Sequence, residues 1–127
     1  MQPKNINALV LYVLNLENTA TFYETLGWQV VRKPNVISIQ LGSFTIEAVL
    51  GPTEEGMVGS SNDLDQQQIK GCGMFILVEV DNVDSYYDLT LTKNVKASTV
   101  PKTWSWGRRE FVVRDPDGYK LVFYQKV

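Results

Sequence analysis

The sequence has no histidine among its 127 residues. That absence removes the commonest general base, the commonest zinc ligand and every Ser–His or Cys–His nucleophile at once. Any catalytic chemistry has to rest on carboxylates, lysine or tyrosine. Cysteine is nearly as scarce: Cys72 stands alone, so no disulfide can form within the chain, and a reducing, cytoplasmic setting is expected. Without a histidine partner Cys72 reads as structural. Excess charge is missing too, because a formal net charge of −2 leaves no basic face for nucleic acid. Long apolar runs are also lacking. Ala8 to Leu14 is far too short to span a bilayer, and it lacks the basic start and small-residue cleavage site of a secretory signal. Neither nucleic acid nor membrane is therefore an expected partner.

What is present is the composition of a globular protein, 44% hydrophobic and 20% charged, long enough for one domain with a proper core. Asn7 to Leu14 reads as a strand. Asn15 is placed to cap a helix over Leu16 to Leu26, with Leu16, Ala20, Tyr23 and Leu26 on one face and Gly27 after its end. Trp28 to Val31, Val36 to Leu41 and, after a Gly42-Ser43 turn, Phe44 to Leu50 read as strands. Gly51 to Gly71 is rich in glycine and glutamine and poor in apolar residues, the composition of a linker, lid or mobile connection.

After that linker the pattern restarts. Phe75 to Val80 reads as a strand, Asn82 as the cap of a helix from Val83 to Lys93, and Asn94 as a residue that tolerates the left-handed conformation. Lys96 to Val100, Glu110 to Arg114 and Tyr119 to Gln125 read as strands. At one fixed offset Leu9 matches Ile76, Leu11 matches Val78, Asn15 matches Asn82 and Gly27 matches Asn94. Strand, cap, helix length and hairpin repeat together, which predicts an α+β fold of two tandem βαβββ modules. Module one covers about residues 5–50, the linker 51–71 and module two about 72–127, in a single domain.

The Asn15-to-Gly27 run, with its Phe22-Tyr23 and Leu26-Gly27 pairs, and the C-terminal Asp115-Pro116-Asp117-Gly118 hairpin resemble the vicinal oxygen chelate superfamily. That group includes glyoxalase I, extradiol dioxygenases and the fosfomycin- and bleomycin-resistance proteins. The string Trp106-Gly107-x-Arg109-Glu110-Phe111, followed by Asp115-Pro116-Asp117-Gly118, is most similar to the bleomycin-resistance branch. The resemblance implies two cupped mixed sheets. It implies metal-ligand positions, one on the first and one on the last strand of each module, which fall here on Ala8, Glu47, Phe75 and Val122. Only Glu47 carries a donor, and one carboxylate cannot build a metal site. No metal and no cofactor are therefore expected, and glyoxalase and dioxygenase chemistry is disfavoured.

Strand alternation from those four positions puts Tyr12, Glu47, Phe75, Glu79, Lys120, Val122 and Tyr124 on the cupped faces. Leu11, Val13, Phe44, Ile46, Val78, Leu121 and Phe123 then fall on the helix-covered side. Tyr12, Glu47, Phe75, Glu79, Trp104, Trp106 and Tyr124 are the candidate ligand-binding residues. The mixture suits a small aromatic or cationic molecule, with rings stacking and Glu47 or Glu79 neutralising charge. Trp106 fits a ligand platform and a core residue equally well at this point. The expected function is sequestration of such a compound by a metal-free homodimer, as the bleomycin-resistance resemblance implies. Base catalysis by Glu47 or Glu79 and a non-catalytic interaction domain are the alternatives.

Overall fold

The computed structural model describes residues 1–51 and 70–127. Of the expected linker or lid, 51–71, residues 52–69 lie outside the described residues. The chain forms two compact units, Met1–Gln68 and Ile69–Val127. No described helix is long and apolar enough to cross a membrane.

The first unit runs β1 (Leu9–Val13), α1 (Leu16–Thr25), β2 (Gln29–Lys33), β3 (Val36–Leu41) and β4 (Phe44–Leu50). Its four-stranded sheet has the order β1-β4-β3-β2, with β1 parallel to β4 and the other pairs antiparallel. Asn15 is extended and its side chain accepts a 2.9 Å hydrogen bond from the Asn18 amide, the cap that starts α1. Ala20 and Tyr23 of α1 and Leu26 at its C-cap are buried, as are Leu11, Val13, Ile37, Ile39 and Ile46 of the sheet. Arg32 on β2 donates to both Glu17 and Glu24 of α1 at 2.8–3.0 Å, pinning sheet to helix, and these hydrogen bonds hold both carboxyls below their ordinary values.

The second unit repeats the plan: β5 (Ile76–Glu79), α2 (Val83–Thr92), β6 (Lys102–Trp104), β7 (Arg108–Arg114) and β8 (Lys120–Lys126), in the order β5-β8-β7-β6 with β5 parallel to β8. Asn82 caps α2 as Asn15 caps α1, accepting from the Ser85 amide at 2.9 Å. Gln125 reaches from β8 to take a second first-turn amide, that of Val83, at 2.6 Å. Behind the sheet Phe111, Phe123, Val113, Leu121 and Val83 are sealed from solvent. The rings of Tyr86 and Tyr87 pack on Phe111 and Phe123 at centroid separations of 4.8–6.3 Å, and burial pushes the Tyr86 phenol up to about 12. Arg109 forks onto Asp84 with two 2.9 Å bonds and keeps that carboxyl below its usual range. Asp84 is therefore a clamp between sheet and helix.

The α+β architecture of two tandem βαβββ modules is the one read from the repeat. Two local expectations are corrected. Lys96 to Val100 is not a strand: only Ala97 bridges to Val113, while the Thr99 hydroxyl accepts the Val112 amide at 2.9 Å in place of a backbone carbonyl. Pro101 has no N–H to give a ladder, so the strand begins after it, at Lys102. Phe44, assigned to the core, is 52% exposed because it sits at the hairpin tip opposite Leu41, itself exposed.

Candidate functional site

The candidate residues divide between the two units. In the first, Tyr12 pairs with Val49 on β4, and Glu47 lies between Val10 and Ser38, on the sheet face away from α1. The corresponding face of the second unit carries a hollow of about 450 Å³, lined among the described residues by Thr99, Val100, Lys102, Trp104, Trp106, Glu110, Val112 and Lys120. A hollow of this size accommodates a small organic molecule.

Trp104 ends β6 and Trp106 lies in the turn to β7. Gly107 makes that turn possible with a φ of +88°, and its amide bonds to the Trp104 carbonyl at 3.2 Å. The turn folds one indole onto the other: centroids stand 4.7 Å apart and the planes differ by 9°. The Lys102 ammonium sits 3.8 Å over the Trp104 ring. With Trp106 also stacked on it, Trp104 is a filled layer. Trp106 is 56% exposed, so it is not a core residue, and its remaining indole face is open.

Alternation along β7 aims Arg108, Glu110, Val112 and Arg114 at this same face, opposite Lys126, Tyr124, Val122 and Lys120 of β8. The Arg108 Nε and Glu110 Oε2 atoms are 3.5 Å apart, and both are buried without a hydrogen-bond partner. The Arg108 guanidinium lies 5.3 Å from the Tyr124 ring. Tyr124 is therefore a support under Arg108 and does not line the hollow. Glu79 is exposed on the edge strand opposite Tyr124 and does not line it either. Phe75 lines a neighbouring hollow of about 430 Å³ with Lys70, Cys72, Arg114 and Lys120, and the Lys120 ammonium stands 5.4 Å from its ring. Gly71 borders that hollow at φ +72°, where a Cβ would meet Tyr119 at 2.7 Å.

The structure thus brings Trp104 and Trp106 together and places Phe75 next door. Lys102, Glu110 and Val112 line the hollow without having been singled out from the sequence. The signal for Glu110 and Val112 was available: counting back from the Asp115-to-Gly118 turn by twos puts both on the face that holds Lys120 and Val122. Lys102 was hidden by the misplaced strand.

The family-implied metal positions can be tested against this geometry. Val122 is an apolar side chain 4% exposed between Leu77 and Val112. Ala8 and Phe75 precede β1 and β5 and offer no donor atom. Among the described residues no group of three or more His, Cys, Asp or Glu comes together. The residues do not fit a resident metal, and no chemistry is routed through one.

The chain resembles a hypothetical protein from S. aureus at 21% identity, covering 98% of this chain and 95% of that one with a TM-score of 0.76. It resembles a glyoxalase/bleomycin resistance protein/dioxygenase from Nocardioides at 17% identity, over 100% and 86%, with a TM-score of 0.80. A virulence protein from Salmonella typhimurium is 22% identical over the full length of both chains, with a TM-score of 0.70. At these identities the likeness is one of fold. No curated protein matches the sequence. The profile of the Glyoxalase/Bleomycin resistance protein/Dioxygenase superfamily matches residues 5–123, and the chain belongs to that superfamily.

Proposed function

We propose that the protein is a metal-free binding protein that sequesters a small aromatic or cationic compound, in the manner of the bleomycin-resistance branch, and that the hollow of the second module holds the ring. The observation that carries this reading is the Trp104–Trp106 stack. A 56% exposed indole, held flat by a second indole and a lysine behind it, is a preorganised platform at the edge of a hollow. A merely structural tryptophan gains nothing from that exposure.

The test is a titration with naphthalenemethanol, a neutral bicyclic probe. Binding should quench indole fluorescence, and Trp106→Ala should weaken it by about tenfold, the worth of one stacking contact. Because Trp106 is exposed, its melting temperature should stay within a degree or two of the parent, on the order expected for a surface change. A large drop in melting temperature with unchanged affinity would end the assignment.

We also propose a cytoplasmic homodimer. The edge strands leave apolar side chains uncovered, Val10 at 47% on β1 and Leu77 at 41% on β5, and exposed edges of this kind are usually covered by a partner. Light scattering at micromolar concentration should return about twice the 14.4 kDa chain mass. A monomer there would remove this claim and leave the ring site standing.

A further inference from the structure

We infer that the ring bound in the second module carries a carboxylate, so that the ligand is an aromatic acid rather than a cation. The inference rests on the ring site proposed above and adds the sign of the charge. The hollow is lined by two ammonium groups, Lys102 and Lys120, and one carboxylate, Glu110. Glu110 already faces the Arg108 guanidinium at 3.5 Å, so it has no charge to spare for a ligand cation. Neither lysine makes an ion pair among the described residues, although Lys102 stands directly opposite Glu110 on β7. Lys102 rests on the Trp104 ring and Lys120 stands near the Phe75 ring, contacts that hold the ammoniums without neutralising them. Lys120 also lines the neighbouring hollow, where Arg114 adds a further positive group.

Along β7 the arrangement is graded. The open Trp106 face lies at one end, apolar Val112 in the middle, and Lys120 beside Arg114 at the other, since Arg114 pairs with Lys120 and Val112 with Val122. Trp106, Lys102 and Lys120 border the same hollow, so an acid held there meets ammonium groups as well as the indole. Glu79 lies outside this lining. An ammonium facing an anion in a half-enclosed site gives a charge-assisted hydrogen bond, stronger than a neutral one.

The experiment uses three probes with the same ring: naphthoate, naphthalenemethanol and naphthylmethylammonium, each titrated calorimetrically into the full-length protein. Naphthoate should bind about tenfold more tightly than the alcohol, and the ammonium most weakly. Lys120→Gln should lower the ratio of naphthoate to alcohol affinity severalfold. Lys102→Gln, at an exposed position, should remove part of the same preference. Equal affinities for all three probes, or a preference for the ammonium, overturn the inference while leaving the ring site intact. An acid preference that survives both lysine substitutions overturns it too. Failure of all three probes to bind at millimolar concentration ends the ring site, and the inference with it.

Discussion

Replacing Phe123 with alanine is expected to destabilise the protein by about 3–5 kcal/mol, the usual cost of deleting a buried phenylalanine ring. Phe123 is completely buried on β8, with its ring 4.8 Å from Tyr86 and 5.4 Å from Phe111. It is the layer that joins α2 to the second sheet. Truncation removes transfer free energy and leaves a hole among aromatic rings that cannot close up easily. Against a typical total stability of about 5–15 kcal/mol, that is a large fraction, and the urea midpoint followed by far-UV circular dichroism should fall accordingly. Affinity should respond differently. Phe123 points to the helix side and its neighbours Val122 and Tyr124 to the other, so molecules that remain folded should bind naphthoate as the parent does. If Phe123→Ala weakened binding per folded molecule as much as Trp106→Ala, the assignment of sheet faces would be wrong.

Asp115→Ala should cost about 2–4 kcal/mol, from the loss of two charge-assisted hydrogen bonds in a buried turn. Asp115 is 5% exposed. Its Oδ1 accepts from the Asp117 amide at 2.9 Å and from the Tyr119 amide at 3.0 Å. Its backbone closes the same turn, donating to the Tyr119 carbonyl and accepting from Gly118, both at 2.9 Å. Removing the carboxylate strands a buried N–H at Tyr119. The turn also fixes which residue of β8 faces Arg114, namely Lys120. This substitution should therefore lower both the urea midpoint and the naphthoate-over-alcohol preference, where Phe123→Ala touches only the first. Asp115→Asn keeps the side-chain acceptor and should recover most of both. An Asp115→Ala protein as stable as the parent would show that the turn is held by its backbone alone.

The two predictions separate what the sequence reveals from what it hides. The repeat was legible because it is written in backbone chemistry. Asn15 and Asn82 cap their helices with nearly the same extended geometry, and Gly27 and Asn94 both take positive φ after the helix ends. Such residues act on their immediate neighbours, so their meaning survives without a structure. Face assignment was mostly legible for the same reason, since alternation is local once one position is anchored. It failed at Phe44, where burial depends on how far the hairpin tip extends beyond the covered part of the sheet.

The site was less legible. Trp106 stood equally as core or platform, because the difference lies in a positive-φ Gly107 that turns the indole outward. The start of β6 depended on Pro101 and on the Thr99 hydroxyl replacing a carbonyl, a side-chain substitution for ladder bonding that no periodicity records. Missing β6 meant missing Lys102, and with it the charge of the hollow. Glu47 and Glu79, prominent as acidic residues on cupped faces, led toward a cationic ligand. The Arg108–Glu110 contact and the two lysines that line the hollow support the acid proposed above.

The most direct test of the account is to follow the indole N–H signals of the three tryptophans by NMR during a naphthoate titration, with a chelator present throughout. The account predicts saturable shifts of Trp106 and Trp104, accompanied by the amides of Val112 and Lys120, while Trp28, buried in the first unit, stays put. Shifts that leave Trp106 unmoved, or that arise only when a divalent metal replaces the chelator, would contradict a metal-free ring site on the second module.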